Sequence, residues 1–259
     1  IYLVVVARGG RAAGVSLAPH LATQRRLLVV GRDLVVRTAA LRGSLLALTA
    51  VAARIGPASV AAHQVAFEIW SFLAMALDAL AIAAQAMVGR LLGAVQHLGQ
   101  RAGGRHVFGS AAGQRGMVAA VGPGPTAGRR LLVLAAAGGA ITTVLVLALT
   151  PLLPHVFTSD DVVADRIRLL LVWVAVLQPL AAVAFVLDGV LIGAGDQRFL
   201  AWAMAAAAAA MGVALVPVLP LGFGIGAVWA AFGVLMAVRV VTLVVRFRGD
   251  RWTVLGARA

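Results

Sequence analysis

The stretch ASVAAHQVAFEIWSFLAMALDALAIAAQAMVGRLLGA at residues 58–94 is apolar over a length that would cross a bilayer, yet it carries polar residues well inside it. About 20 apolar residues in an α-helix span the hydrocarbon core of a bilayer, so a helix over residues 59–90 is long enough to cross it. Four polar residues recur at seven-residue steps, and each such step drifts only about 20° around the helix. They are Gln64, Ser71, Asp78 and Gln85, with Glu68 one turn beyond Gln64. The spacing predicts a polar stripe along one face.

The composition is that of a membrane protein. Hydrophobic residues make up 62% of the 259 residues and the mean hydropathy is +1.01, whereas soluble domains are roughly 45–50% apolar. The net charge of +13 comes from arginines that cluster between apolar segments, as membrane topology requires, so we do not expect binding to nucleic acid. The chain has no cysteine, which excludes disulfides and thiolate metal sites. We predict an all-α, polytopic membrane protein.

Apolar segments alternate with arginine-rich or turn-forming segments along the chain. Residues 1–33 are predicted to be the tail of a preceding helix and a cytoplasmic linker, and 34–94 the first two membrane helices. An irregular cytoplasmic loop is predicted at 95–130, four membrane helices at 131–247 and a cytoplasmic tail at 248–259. The six spans are predicted at residues 34–53, 59–90, 131–153, 167–192, 199–219 and 222–247. Thr158-Ser159-Asp160-Asp161 is typical of a helix N-terminal cap.

The arginines also predict an orientation. If the first basic segment is cytoplasmic, sixteen of the 22 arginines fall in cytoplasmic loops and ends, whereas Arg54, Arg166 and Arg168 fall outside. This distribution follows the positive-inside rule. We therefore expect a multi-pass protein of the plasma membrane, surrounded by lipid, with both ends cytoplasmic.

Arg42 and Asp78 are ionisable residues inside predicted spans. Counted from Arg32 and Arg90, which are expected at the inner interface, both lie about 15–18 Å deep and would be able to pair. The pair would either fix helix register or line a cavity in which protonation or cation binding alters the pairing. Glu68 has no arginine at its expected depth, so it is the preferred titrating group, although its outer position would equally let it reach water.

Three further polar residues lie in or near the predicted spans. Asp188, near the end of its span, is expected to cap a helix or contact a loop rather than bind an ion. Gln178 precedes Pro179, which leaves a free carbonyl at membrane depth; such a break can hold an ion or act as a hinge, but a simple kink is commoner. His63 is expected at the interface rather than on a metal, because Glu68 lies about 140° around the helix from it. No enzyme motif occurs in the sequence, so we predict neither an enzyme nor a cofactor.

Two segments resemble the multidrug and toxic compound extrusion (MATE) transporters, specifically their DinF-like branch. They are Ala61-Ala62-His63-Gln64 with the later AMALDALAIAAQAMVGRLLGA, and Gln178-Pro179 with FVLDGVLIGAGDQRF. The resemblance implies twelve helices in two six-helix lobes, of which this chain would be the carboxy-terminal one. It also implies alternating access and export of small organic, often cationic, compounds in exchange for protons or sodium ions.

The sequence departs from the family pattern in two places. The helix-one aspartate that this branch uses for cation coupling is not in the chain, and residues 34–53 hold no acid where another branch has a glutamate. Coupling residues are therefore not transferred from the resemblance. Residues 95–128 resemble nothing in the family, and we interpret them as an insertion or a disturbed reading frame.

The sequence thus predicts the carboxy-terminal lobe of a cation-coupled efflux antiporter, whose partner would be an amino-terminal six-helix lobe or a second copy. The candidate cavity residues are Gln64, Glu68, Ser71, Asp78, Gln85, Arg42, Gln178 and Asp188. Trp70 or Trp173 would be able to contact a flat cationic compound through the ring face. We favour the interpretation that both tryptophans pack against lipid or other helices.

Two alternative functions stay open. The first is a flippase for lipid-linked precursors, which requires a basic cavity and for which Arg37 and Arg42 are the only support. The second is a non-transporting remnant or a structural membrane subunit.

Overall fold

A computed structural model describes residues 21–101 and 125–249, and within these ranges the chain is helical and has no strand. Six helices contain an apolar segment long enough to cross a membrane. The described helices are α1 (Leu21–Ile55), α2 (Pro57–Arg101), α3 (Pro125–Leu149), the short α4 (Leu153–Phe157), α5 (Asp161–Gly193), α6 (Gln197–Leu215) and α7 (Ile225–Arg248). The predicted all-α bundle of six membrane helices is confirmed.

The helix ends differ from the prediction at the first span and around the 95–130 segment. Helix α1 begins at Leu21, so the part of the predicted linker from residue 21 to 33 is helical. Around the 95–130 segment, α2 continues to Arg101 and α3 begins at Pro125, so both flanks of the predicted irregular loop are helical. Most of the predicted linker, the centre of the loop and the predicted tail fall in 1–20, 102–124 and 250–259, outside the described residues. At the start of α5, the Asp160 carboxylate accepts hydrogen bonds from the Val162 and Val163 amides at 2.8 and 3.1 Å. The predicted N-terminal cap is confirmed.

A one-residue turn at Gly56 joins α1 to α2. Its φ of 140° is readily adopted only by glycine, and Pro57 occupies the first helical position, which suits its fixed φ. The Gly56 carbonyl accepts from the amides of Ser59 and Val60, both at 3.1 Å. Beyond the turn the two helices separate, because α1 packs mainly against α6 and α2 mainly against α5.

Helix α5 is the centre of the bundle, and it packs against α2, α3 and α7. Glycines allow α2 to approach it backbone to backbone. A Cβ added at Gly193 would lie 2.6 Å from the Gln85 carbonyl oxygen, and one added at Gly189 would overlap the Ala81 carbonyl. Small residues at four-residue spacing commonly form such close membrane-helix contacts. The register of α2 on α5 is therefore set by main-chain contact.

Helix α3 packs on α5 at the predicted break. Pro179 has no amide hydrogen, so the Ala175 carbonyl loses its usual partner within α5. The Thr143 hydroxyl of α3 donates to this carbonyl at 2.7 Å. Gly139, one turn earlier, lies directly against the proline, since an added Cβ would be 2.6 Å from Pro179 Cα. The carbonyl freed by Pro179 is thus satisfied by a neighbouring helix.

The α2–α5 crossing predicts that Gly189→Ala lowers the free energy of unfolding by about 1–3 kcal/mol, because the new methyl group forces two backbones apart. Gly212→Ala is the matched control: Gly212 lies in α6, and an added Cβ there meets no atom within 4 Å. The control should be neutral or stabilising by up to about 1 kcal/mol. Unfolding in detergent, followed by circular dichroism, measures both; equal stability of the two variants would contradict the close crossing.

The Thr143–Ala175 contact predicts that Thr143→Val lowers the free energy of unfolding by about 1 kcal/mol, because it leaves the Ala175 carbonyl without a donor. Thr142→Val is the control, since that hydroxyl donates only within α3. Pro179→Ala restores the missing amide, so Thr143→Val should cost much less in that background. A double-mutant cycle on detergent unfolding measures the difference, and an equal cost in both backgrounds would refute it.

Candidate functional site

The polar stripe of α2 lies along its exposed face, although at Gln85 the main chain runs against Gly193 of α5. Gln64, Glu68, Asp78 and Gln85 are exposed and Ser71 is half-buried. The opposite face is buried against the bundle through Ala66, Trp70, Leu73, Leu77, Ala81, Ala84 and Val88. The predicted single polar face is therefore present, and within the described residues no helix covers it fully.

The stripe is not purely polar. Met75 and Ile82 are 74% and 59% exposed, and at 100° per residue both lie within about 20° of Gln64 around the helix. The Gln64 amide donates to Glu68 Oε1 at 3.0 Å, which holds that carboxylate along the helix. The surface thus combines two carboxylates, amides and a hydroxyl with exposed apolar side chains.

The predicted contact between Arg42 and Asp78 is wrong. Both residues are exposed, and neither forms an ion pair with any residue of the described ranges. Counted from the shared turn at Gly56, Arg42 lies about 21 Å along α1 and Asp78 about 33 Å along α2. The two helices also diverge, because they pack on different partners. Counting residues from Arg32 and Arg90 therefore did not predict which side chains lie close together.

The expected role of Asp188 as a cap or loop contact is also wrong. It is 5% exposed, and its Oδ2 accepts from Arg37 Nη2 of α1 at 2.9 Å and from Arg239 Nη2 of α7. One carboxylate oxygen thus links α1, α5 and α7. Sequence reasoning missed Arg239, although it shares one signal with Arg37 and Arg42: these are the three arginines that belong to no predicted loop.

A second ion pair lies near the same end of the bundle. The Asp196 carboxylate pairs with Arg246 Nε of α7 at 2.6 Å. Both side chains are largely buried, at 15% and 13% exposure. The Arg246 guanidinium also lies over the Phe199 ring, 4.9 Å from its centroid. This pair ties the start of α6 to the end of α7.

Gln178 is 1% exposed, and its Oε1 has no hydrogen-bond partner among the described residues. The carbonyl freed by Pro179, a possible ion ligand, is that of Ala175, and it accepts a hydrogen bond from the Thr143 hydroxyl. Helix α5 is continuous across Pro179, and the hydroxyl from α3 accounts for the freed carbonyl without an ion.

His63 lies inside the bundle, only 2% exposed. Trp229 Nε1 can only donate, so His63 Nδ1 accepts this bond at 3.2 Å. In the neutral ring Nε2 then carries the hydrogen and donates to Thr49 Oγ1 at 3.2 Å, and the Thr49 hydroxyl donates to the Leu45 carbonyl at 3.1 Å. This directed chain of hydrogen bonds links α7, α2 and α1.

Trp70 and Trp173, the two candidate contacts for a cation, pack against helices, as we expected. Trp70 is 5% exposed and meets the Phe232 ring edge-on, with the centroids 5.0 Å apart. Trp173 lies along α7, where Cβ atoms added at Gly226 and Gly233 would be 3.8 and 3.7 Å from its ring. In the described part of the chain, no three histidine or acidic residues are grouped so that they would hold a metal ion.

Comparison with known proteins supports the resemblance drawn from the sequence. The MatE family model matches residues 34–121 and 102–221. These ranges together include all of residues 95–128, so our statement that this segment resembles nothing in the family is wrong.

Three curated relatives illustrate the similarity. The chain is 32% identical to Protein DETOXIFICATION 44, chloroplastic, of Arabidopsis thaliana over 230 residues, which are 88% of this chain and 39% of that protein. It is 31% identical to DNA damage-inducible protein F of Escherichia coli (strain K12) over 226 residues, 86% of this chain and 43% of that protein. Identity to Protein DETOXIFICATION 43 of Arabidopsis thaliana is 28% over 221 residues, covering 85% of this chain and 37% of that protein.

The chain spans about two fifths of the length of these relatives. The match to the family model extends over most of the chain and agrees with the six-helix membrane bundle. The chain belongs to the MATE family.

Proposed function

We propose that the chain is the carboxy-terminal lobe of a cation-coupled multidrug efflux antiporter of the plasma membrane, with both ends cytoplasmic and an alternating-access mechanism. The observation that carries this proposal is the exposed polar stripe of α2. Membership of the MATE family supports it, as does similarity to relatives named for detoxification.

The stripe needs a surrounding other than lipid. A carboxylate at membrane depth costs at least about 2.5 kcal/mol, so it normally faces a water-filled cavity or the interior of a bundle. Glu68 and Asp78 are both exposed on a helix long enough to span the bilayer. Together with the exposed Met75 and Ile82, they form a wall that suits an organic compound with an apolar body and a cationic group.

The two acids of the stripe would act separately. Ten residues separate Glu68 from Asp78, which is about 15 Å along a helix, too far for one ion to touch both. Glu68 is held by the Gln64 amide, whereas Asp78 makes no ion pair in the described structure. We propose Glu68 as the site that exchanges a proton or binds sodium, and Asp78 as a contact for a cationic substrate.

The cavity requires a second wall. The relatives are more than twice as long as the segment that matches this chain, and alternating access needs two bodies that move around a central site. We propose that an amino-terminal six-helix lobe, or a second copy of the chain, faces the stripe.

The flippase alternative gains no support from the two arginines that suggested it. Arg37 and Arg42 lie five residues apart, which places them about 140° apart around α1. Arg37 turns inward to Asp188, whereas Arg42 is exposed. They do not form a single basic surface.

The proposal predicts that Glu68→Gln lowers drug efflux by about tenfold or more, within the range of typical coupling energies, because an amide neither releases a proton nor binds sodium as a carboxylate does. Asp78→Asn should weaken the export of cationic dyes more than that of neutral ones. Dye accumulation is measured in a drug-sensitive host that expresses the chain with its partner lobe.

Asp161→Asn is the matched control, because it removes an exposed acid at the first turn of α5, away from the stripe. Efflux by this variant should equal that of the unmodified protein. Unchanged efflux in both stripe variants would remove Glu68 and Asp78 from the mechanism. A correctly inserted protein that alters no accumulation would favour the non-transporting alternative.

A further inference from the structure

The ion cluster around Asp188 holds more positive than negative charge. The Arg37 and Arg239 guanidiniums share the single Asp188 carboxylate, and both bind the same oxygen, Oδ2. Two positive groups and one negative group leave a net charge of +1 between α1, α5 and α7.

No other carboxylate of the described ranges balances this charge. Asp33 pairs with Arg32, Asp165 with Arg168 and Asp196 with Arg246. The remaining described acids are Glu68, which is bonded to Gln64, the helix cap Asp160, and Asp78 and Asp161, which form no ion pair.

The arginines also keep unused hydrogen-bonding capacity. Arg239 is 5% exposed, and its Nε–H has no hydrogen-bond partner among the described residues. The guanidinium lies over the Phe185 ring, 5.6 Å from the centroid, which provides a cation–π contact but no acceptor for that hydrogen. A buried charge without full pairing is costly, so this cluster favours an additional anionic acceptor.

Arg37 provides the approach to the cluster. The Arg37 side chain is 18% exposed, whereas the Arg239 side chain, taken without its main chain, is 7% exposed. Arg37 lies 19 residues from Gly56, or about 28 Å along α1, close to the roughly 30 Å thickness of the hydrocarbon core. Leu34 and Val35 beside it are 53% and 66% exposed. Arg37 thus lies near the depth of lipid headgroups, next to apolar side chains that acyl chains would contact.

We propose that Arg37 and Arg239, with Asp188 between them, form a binding site for a phosphate group, as carried by an anionic phospholipid or by free phosphate. Guanidinium binds phosphate oxygens through paired, charge-assisted hydrogen bonds. Basic pockets between membrane helices are known to bind phospholipid headgroups in this way. The site is formed by α1, α5 and α7, whereas the stripe lies on α2. Binding of a phosphate group at this site does not depend on the proposed transport function.

The test measures thermal unfolding of the full-length protein with its partner lobe. The probes are nanodiscs of phosphatidylcholine with increasing phosphatidylglycerol, and inorganic phosphate added in phosphatidylcholine alone. Arg37→Gln should lower the apparent affinity for the phosphate group by about ten- to a hundredfold, as expected for loss of hydrogen bonds to a charged group. Arg42→Gln removes the same charge five residues away, at an exposed position without an ion pair, and should leave the affinity unchanged.

Asp188→Asn gives a prediction of opposite sign. It raises the charge of the cluster from +1 to +2, so affinity for the phosphate group should increase even if the protein itself becomes less stable. A purely structural ion cluster would show only the loss of stability. Should that variant fail to fold, Arg37→Lys keeps the charge without the paired donors and should bind more weakly than the unmodified protein but more tightly than Arg37→Gln.

The two probes separate the possible sources. Stabilisation by phosphatidylglycerol alone, lost in Arg37→Gln, supports a lipid site, and stabilisation by both probes supports a site for free phosphate as well. Equal losses in Arg37→Gln and Arg42→Gln would reduce the effect to general charge attraction and overturn the proposal. Absence of any response to either probe, or weaker binding in a folded Asp188→Asn variant, would also overturn it.

Discussion

The close backbone contact between α2 and α5 is the constraint on which the other features depend. Gly189 and Gly193 bring the α5 backbone against the carbonyls of Ala81 and Gln85, where no side chain would fit. Once that register is set, one face of α2 is buried and the other must point away from the bundle. The polar stripe, and the exposure of Glu68 and Asp78 within it, follow from a contact made by residues without side chains of their own.

Polar groups at membrane depth fall into two classes in this bundle. Those that face inward bind one another and join helices: the Thr143 hydroxyl of α3 binds the Ala175 carbonyl of α5, the His63 chain links α7, α2 and α1, and Asp188 links α1, α5 and α7. Those on the outer face of α2 are not bound to other helices in the described structure. The first group lowers the cost of desolvation within the lobe, whereas the second requires water, substrate or a partner.

Features that depend on a single segment were predicted well from the sequence. Six spans, the Asp160 cap and the polar face of α2 each arise from residues within a few helical turns. Predictions that joined distant segments were less successful. Arg42 was paired with Asp78 on an estimate of depth, whereas Asp188 binds Arg37, 151 residues away in sequence, and Arg239. Depth alone does not identify a partner, since tilt and facing also decide which side chains meet.

The sequence by itself determined that the chain enters a membrane, where the six apolar helices of the described residues lie and which of them carries a polar face. These properties are local, because a membrane helix satisfies its own backbone and its periodicity depends only on neighbouring residues. The tertiary structure alone decided that the stripe points outward and that Asp188, rather than Asp78, is the buried partner of two arginines. Those outcomes depend on which helix faces touch, and for α2 and α5 this is set by close packing of Gly189 and Gly193 on Ala81 and Gln85, which are distant in the sequence.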